Sequence, residues 1–383
     1  MSVLKKFLIV LLIFVLFLST GVFSWNKTIY THVMNIVLAS LPEELSTVFS
    51  NQEVKQMINE FLAWNDDFGS KDHLKNPIHF FSTESYGNSP EAIKENLSAY
   101  LSGKKSFDDD KGMLLPVVMR YAKATLDLAQ TNQNSFPRML GLLVHFLTDL
   151  NSPLHVTKYV DGKTKSQSGV HFVWEDITSK KLSELNISPV VPEEIEDLEG
   201  YILNALVKSW QLSEKFFEIE NEVSSQSGGR KSGNYSELLF ERTKDIVQSQ
   251  LQNAVKMISD IIYTAYERAK NPDLPAYNIS IIKIYHWSDD RYVIIKNLGK
   301  SGWNLKNWRL YSYYSTSGTA SNYYEFLKTI LSPDEEIRIH SGPRASRSNR
   351  AKTIFWSLKR IWGDHAEALL MDDNKNIVDL YVY

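Results

Sequence analysis

The chain contains no cysteine. That excludes disulfides, cysteine-ligated zinc and thiol nucleophiles, and leaves packing and bound metal as the sources of stability for an exported chain. There is no G-x-S-x-G run either, so nothing here supports a Ser–His–Asp hydrolase. Long apolar runs are missing after the first two dozen residues, and no later stretch is long and apolar enough to cross a membrane. The formal net charge is only −3, but it is unevenly spread. The segment from Tyr277 onward carries more Lys and Arg than Asp and Glu, and the remainder is acidic.

Residues 1–24 have the pattern of a secretory signal peptide: Lys5 and Lys6, an apolar run from Phe7 to Leu18, then Val22 and Ser24 placed for cleavage before Trp25. An uncleaved membrane anchor is the alternative. A secreted or extracytoplasmic protein, free or associated with a cell surface, is expected. The rest of the chain is long enough for two domains.

Those domains differ in period. VVMRYAKATLDLA (117–129), SFPRMLGLLVHFLTDL (135–150), LEGYILNALVKSWQLSEKFFEI (198–219) and the run 236–269 repeat apolar residues every three or four positions, as helices do. NPDLP (271–275) ends this pattern. ISIIKIYH, RYVIIKNL, WRLYSYY, EEIRIHSG, AEALLMD and NIVDLYVY then follow as short aromatic and β-branched segments between turn residues. The expected fold is an all-α domain over 25–270, a linker at 271–276, and an all-β, immunoglobulin-like sandwich of six or seven strands over 277–383.

Six of the nine histidines lie in the helical part: His32, His73, His79, His145, His155 and His171. His145 and Asp149 are four residues apart and share one helix face, as do His171 and Glu175. Between the pairs, Pro153 disfavours helix at Ser152, so the chain can turn and aim His155 at the same cavity. Upstream, Asp66 and His79 flank a loop containing Gly and Pro. One such pair is ordinary on a surface helix; two pairs joined by a further histidine point to metal. Imidazole and carboxylate ligands suit zinc, which commonly takes three protein ligands and leaves a position open. His155, His171 and Glu175 satisfy one ion, and Asp66, His79, His145 and Asp149 another. This surplus favours a polynuclear cluster. If the chain begins at Trp25, its free amino group and carbonyl oxygen can chelate a third ion, with His32 one or two helical turns along.

Trp25, His32, the WND around Asp66, the HF at His79, HFLTDLNSPLHV and HFVWE together resemble the zinc-dependent phospholipase C and S1/P1 nuclease superfamily. The resemblance covers 25 to about 270. It implies an exported helical enzyme with three zinc ions per chain. On that carry-over Trp25, His32 and Asp149 hold one zinc. Asp66, His79, His145 and the bridging Asp149 surround a second, and His155, His171 and Glu175 hold the third. Asp66 is the candidate catalytic residue, as base, water-orienting group or ligand.

The substrate divides the superfamily. Glu175 as last ligand and the short interval from His155 to His171 resemble the phospholipase side. Trp174, the WND motif and the closeness of His32 to Trp25 resemble the nucleases. The expected activity is phospholipase C, acting on phospholipid headgroups at a membrane surface to release diacylglycerol. Cleavage of single-stranded nucleic acid is the alternative, and an inactive zinc-stabilised adhesion or scaffold protein is a third. A monomer without nucleotide cofactor is expected. The aromatics Trp64, Phe68, Phe80, Phe81 and Trp174 are candidates for the pocket wall, with core packing the plainer reading of each. YVIIKNLGKSGWNLKNWRLYS, the run at 331–342 and IVDLYVY resemble a lamin-tail domain, covering about 277–383. Within it Arg338, Arg344, Arg347, Arg350, Lys352, Lys359 and Arg360 form a basic segment that can meet an anionic surface or simply solubilise an edge.

Overall fold

The computed structural model describes Trp25 and residues 27–49, 51–62, 76–132, 135–314, 320–347, 352–363 and 366–383. The leader segment, Trp64, Asp66, Phe68, His73 and Arg350 lie outside the described residues.

The helical half contains α1 (Lys27–Ser40), α2 (Glu43–Phe49), α3 (Gln52–Phe61), α4 (Pro90–Leu101), α5 (Leu114–Thr131), α6 (Phe136–Leu150), α7 (Val170–Lys180), α8 (Leu198–Gln226) and α9 (Tyr235–Lys270). Helix starts follow local chemistry. The Asn51 side chain accepts from the backbone N–H of Glu53, Ser89 from Ala92, and Asp197 from Gly200, each satisfying a donor that the first turn leaves open. At the centre lies α6, packed on α1, α3, α5 and α9. Every residue of it from Met139 to Leu150 is buried. A helix covered on all sides must be apolar all round, which is why SFPRMLGLLVHFLTDL carries so little charge. His145 and Asp149 are its exceptions, and neither reaches solvent.

α3 comes unusually close to α6 at Gly141. A Cβ added there stands 2.5 Å from the Ile58 carbonyl oxygen and 2.8 Å from Phe61 Cβ. In an open helix Ala is worth about 1 kcal/mol over Gly, but overpacking a closed core costs about 1–3 kcal/mol, and the obstructing atom is backbone. Gly141→Ala is therefore expected to destabilise the protein by about 1 kcal/mol net, read as a lower urea midpoint. A midpoint that rises refutes the close packing.

The β half contains β1 (Ile279–Tyr285), β2 (Arg291–Asn297), β3 (Trp303–Asn304), β4 (Arg309–Tyr314), β5 (Ala320–Glu325), β6 (Ile330–Leu331), β7 (Glu336–Ser341), β8 (Thr353–Ser357), β9 (Ala366–Met371) and β10 (Ile377–Val382). One sheet runs β1-β2-β7-β8 and the other β10-β9-β4-β5, with β3 and β6 as a separate pair. All pairings are antiparallel except β7 with β8. Ile281, Val293, Ile295 and Ile339 of the first sheet share a core with Leu310, Ala368, Leu370 and Val378 of the second. The two sheets therefore form a sandwich. The six segments read from sequence correspond to β1, β2, β4, β7, β9 and β10; the additional strands are edges or two-residue pieces. Each residue of β8 is half-buried, so no alternation marks it.

The second sheet is covered on both faces. Leu369, Ile377, Leu380 and Val382 belong to the helical core, while their neighbours face the sandwich. This explains why β9 and β10 read as nearly continuous apolar runs instead of alternating ones. Polar contacts tie the halves together. Asn278 N–H donates to the Thr131 carbonyl at 3.0 Å, Ile377 N–H to Asp127 at 2.8 Å, and Asn132 Nδ2 to Ser280 Oγ at 2.8 Å.

The basic segment is largely balanced. Arg338 pairs with Glu336, Arg344 and Arg360 face Asp289, and Lys352 pairs with Glu335. Four of its cations thus have acidic neighbours, which favours the charged-edge reading over an open anion-binding face.

Candidate metal centre

Two groups of buried ligating side chains meet in the helical half: His79, His145 and Asp149, and His155, His171 and Glu175. α6 presents His145 and Asp149 from successive turns. It ends at Leu150, and the chain turns through Ser152 and Pro153 to bring His155 back. Gln250 and Asn253 of α9 hold that turn by donating to the carbonyl and side-chain oxygens of Asn151, at 2.7 and 2.5 Å. His79 ends a short 3-10 turn, Pro77–His79, whose start is capped by Asn76. α7 carries His171 and Glu175, and begins at Gly169 with φ +86°, a left-handed conformation suited to glycine. The Gly169 N–H donates to Asp161 Oδ2 at 2.7 Å, folding the preceding loop back over the site.

The strands of chain carrying His79 and His155 are stitched together. Phe81 N–H donates to the His155 carbonyl at 2.7 Å, and His155 Nδ1 lies 2.6 Å from the His79 carbonyl oxygen. The other two rings are held the same way. His145 Nδ1 is 3.1 Å from the Leu62 carbonyl, and His171 Nδ1 is 2.9 Å from that of Val160. A carbonyl only accepts, so each of these three Nδ1 atoms carries the proton, and a neutral ring then presents a bare Nε2 lone pair. These lone pairs converge. His155 Nε2 and His171 Nε2 lie 3.0 Å apart, and each faces Glu175 Oε1, at 3.0 and 2.9 Å. In the neighbouring group His145 Nε2 stands 3.4 Å from His79 Nδ1 and 3.5 Å from Asp149 Oδ2. His79 Nδ1 is 3.0 Å from the same oxygen.

Acceptors crowded together in this way need a positive charge among them. Donor atoms around a tetrahedral zinc, at about 2.1 Å from the ion, lie roughly 3.4 Å from one another. Both groups fall close to that spacing and have the nitrogen and oxygen donors zinc prefers. The residues present therefore fit the ion. Without one, a proton takes its place. Burial pushes the His155 imidazole down, but Asp149 and Glu175 outweigh it and raise it to about 9. Burial also opposes ionisation of Asp149; the charges of His155 and His145, with hydrogen bonds from His145 and His79, hold it well below the carboxylate range. For His79, burial wins over the Asp149 hydrogen bond and lowers it to about 4.

Six of the nine residues expected as ligands are thus brought together. Trp25 is buried, with its ring 5.3 Å from that of Trp174, the neighbour of Glu175. His32 is half-buried and belongs to neither group. Its Nε2 is shielded from solvent with no hydrogen-bond partner among the described residues, and burial lowers its pKa. Tyr30, two residues earlier on α1, reaches the centre. Its hydroxyl donates to Asp149 Oδ1 at 2.9 Å, and its ring stacks on His145 with centroids 4.5 Å apart. At roughly 100° per residue, positions 30 and 32 point to nearly opposite sides of α1. Sequence reasoning passed over Tyr30, although it lies at i, i+3 and i+7 with the buried Val33 and Val37. Asp66 lies outside the described residues. Of the candidate pocket aromatics, Trp174 and Phe81 are core: Trp174 Nε1 donates to Thr243 and its ring meets Phe216, while Phe81 stacks on Tyr86.

No protein-family model and no curated protein matches the chain. Among solved structures, an alpha-toxin of Clostridium perfringens from avian strain SWCP is similar at 13% identity and a TM-score of 0.41, covering 93% of this chain and 93% of that one. Alpha toxin from Clostridium absonum is similar at 12% identity and a TM-score of 0.40, covering 90% and 86%. Likeness this distant carries no functional argument. No described helix is long and apolar enough to cross a membrane.

Proposed function

We propose that the protein is an exported zinc-dependent phospholipase C, hydrolysing the phosphodiester of phospholipids to diacylglycerol and a phosphorylated headgroup. One observation carries the reading: two buried donor groups adjoin at His155, with three imidazole rings tied by backbone carbonyls so that their Nε2 atoms face carboxylate oxygens. The resemblance read from the sequence selects phosphodiester chemistry for such a centre, and Glu175 as the last ligand selects lipid over nucleic acid. In the full proposal there are three ions. Asp66, His79, His145 and Asp149 would hold one, His155, His171 and Glu175 another, and a mature amino terminus at Trp25 with His32 and Asp149 the third. The β half is proposed to be a lamin-tail-like module that anchors or spaces the enzyme.

When bound, zinc supplies Lewis acidity: it offsets charge on a phosphoryl group and lowers the pKa of water towards neutrality. The chain's own residues prepare for this. The Tyr30 hydroxyl engages Asp149 Oδ1 and leaves Oδ2 to face the histidines. The carbonyls of Leu62, His79 and Val160 fix three rings in one tautomer, which removes the entropy of choosing among them. Glu175 Oε2 is shielded and has no hydrogen-bond partner among the described residues, so a second acceptor stands ready. Asp66 is proposed to orient or deprotonate the attacking water.

The test is a parallel assay of the zinc-loaded protein cut before Trp25, on phosphatidylcholine vesicles and on single-stranded DNA, each with a chelator control. Chelator-sensitive release of phosphocholine with intact DNA is expected. Cleaved DNA with untouched lipid replaces this reading by the nuclease one. Bound zinc without turnover of either leaves a scaffold.

A further inference from the structure

A cleft lies between the two halves of the molecule, on the side of α5 turned away from the metal groups. Tyr121 faces inward from α5 towards Phe146, whose ring stacks on His79. Met119, Lys123 and Leu126 of the same helix instead line an open cleft of about 630 Å³. That volume lies within the range of small-molecule sites. Phe107, Met119 and Leu126 supply apolar wall from the helical half, and Tyr313, Leu369 and Met371 from the β half. A ligand here therefore touches both domains.

The polar groups are few and differ in their commitments. Arg120 is committed to Glu367 through two hydrogen bonds, and Lys123 to Asp127. Arg268, in the last turn of α9, is half-buried at the cleft and has no hydrogen bond, ion pair or ring contact among the described residues. Its guanidinium offers five donors, and no protein group among the described residues engages them. Lys123, also within the cleft, has a side chain that is 44% exposed and able to reorient. The carboxylates present are Asp127, which already accepts from Lys123 and from Ile377 N–H, and Glu199, in the first turn of α8 where the helix dipole favours it.

From the apolar wall and the unengaged guanidinium we infer that the interdomain cleft is a binding site for a single-chain anionic amphiphile. Its hydrocarbon lies along Met119, Leu126 and Leu369, and its carboxylate or phosphate is met by Arg268. The site is independent of the metal centre and stands whether or not the protein is a phospholipase. Fatty acids and lysophospholipids share the required chemistry, and the probes separate them by headgroup.

The experiment is calorimetric titration of the full mature chain, below each micellar limit, with dodecanoate, dodecyl phosphate, dodecyltrimethylammonium and a neutral dodecanoyl monoglyceride. Saturable one-to-one binding of either or both anionic probes is expected, tighter than that of the neutral or cationic ones. Whichever anion binds more tightly identifies the natural headgroup. Arg268→Gln is expected to weaken anionic binding by roughly tenfold, the scale of one charge-assisted hydrogen bond, and to leave the neutral probe unchanged. Met119→Trp, which fills the cleft, is expected to abolish binding of all four. Unchanged thermal melting of both variants establishes that they fold. Absence of saturable anionic binding, equal affinity for the cationic probe, or insensitivity to both substitutions in folded protein overturns the inference.

Discussion

His155→Ala is expected to abolish phosphodiester hydrolysis and to strip zinc from the centre, the largest functional effect of any single change. Among the described residues, the two ligand groups meet at His155. Its Nε2 faces His171 and Glu175, while its Nδ1 donates to the His79 carbonyl and lies 3.8 Å from Asp149 Oδ2. Truncation therefore removes a ligand and unties the segment that carries His79. Loss of a single electrostatic stabiliser costs on the order of a hundred- to a thousandfold in kcat, and loss of a ligand should reach at least the upper end. Tyr30→Phe provides the contrast. It removes the hydrogen bond to Asp149 Oδ1 and keeps the ring stacked on His145. Outer-shell partners of this kind are worth about 10–100-fold in metal affinity or activity. Metal content by elemental analysis, with hydrolysis rates at saturating zinc, tests both. If the alanine variant retains its full zinc and its rate, the two groups do not form a metal centre.

Much of that centre was legible in the sequence, because helical spacing is a geometric statement. His145 with Asp149 and His171 with Glu175 had to share faces, and Pro153 had to release the chain between them. The fold class was legible for the same reason, since the period changes where α9 stops at Lys270 and β1 begins at Ile279. The parts that were not legible are those carried by atoms common to every residue. The carbonyls of Leu62, His79 and Val160 fix the tautomers, and no side-chain identity announces them. Tyr30 is a subtler omission. An aromatic on the buried face of an amphipathic helix reads as core, and only tertiary placement shows that its hydroxyl meets a carboxylate.

The joining of the two halves was hidden as well, since a sheet covered on both faces and one buried in a sandwich produce similar apolar strings. What distinguishes them here is Glu367. A carboxylate within AEALLMD reads as the exposed residue of an edge, yet it is buried at the domain junction. It accepts from Arg120 Nε and Nη2 at 3.1 and 3.2 Å, and from the Tyr121 hydroxyl at 2.6 Å. The guanidinium also lies 4.2 Å from the centre of the Tyr313 ring.

That network gives the second large prediction. Glu367→Ala leaves the Arg120 charge and the Tyr121 hydroxyl buried without their acceptor, and breaking a buried pair in this way costs about 3–5 kcal/mol. The pair is not a net source of stability on that scale, because desolvating two charges offsets most of their attraction. Replacing both members by apolar residues, Arg120→Met with Glu367→Leu, is therefore expected to recover most of the loss and to fall within about 1–2 kcal/mol of the parent. Tyr121→Phe added to the double variant should recover more, by removing the stranded hydroxyl. Urea unfolding of the full chain, with the three variants and the parent compared at equal zinc, measures these differences. A loss below about 1 kcal/mol for Glu367→Ala would mean that the junction is wet and the pair screened. A single variant that unfolds the β half alone, with hydrolysis retained, would separate junction stability from the metal centre. The contact of Tyr121 with Phe146, which lies against His79 and His145, argues the other way. Weakening the junction should loosen those rings, so hydrolysis is expected to fall along with stability.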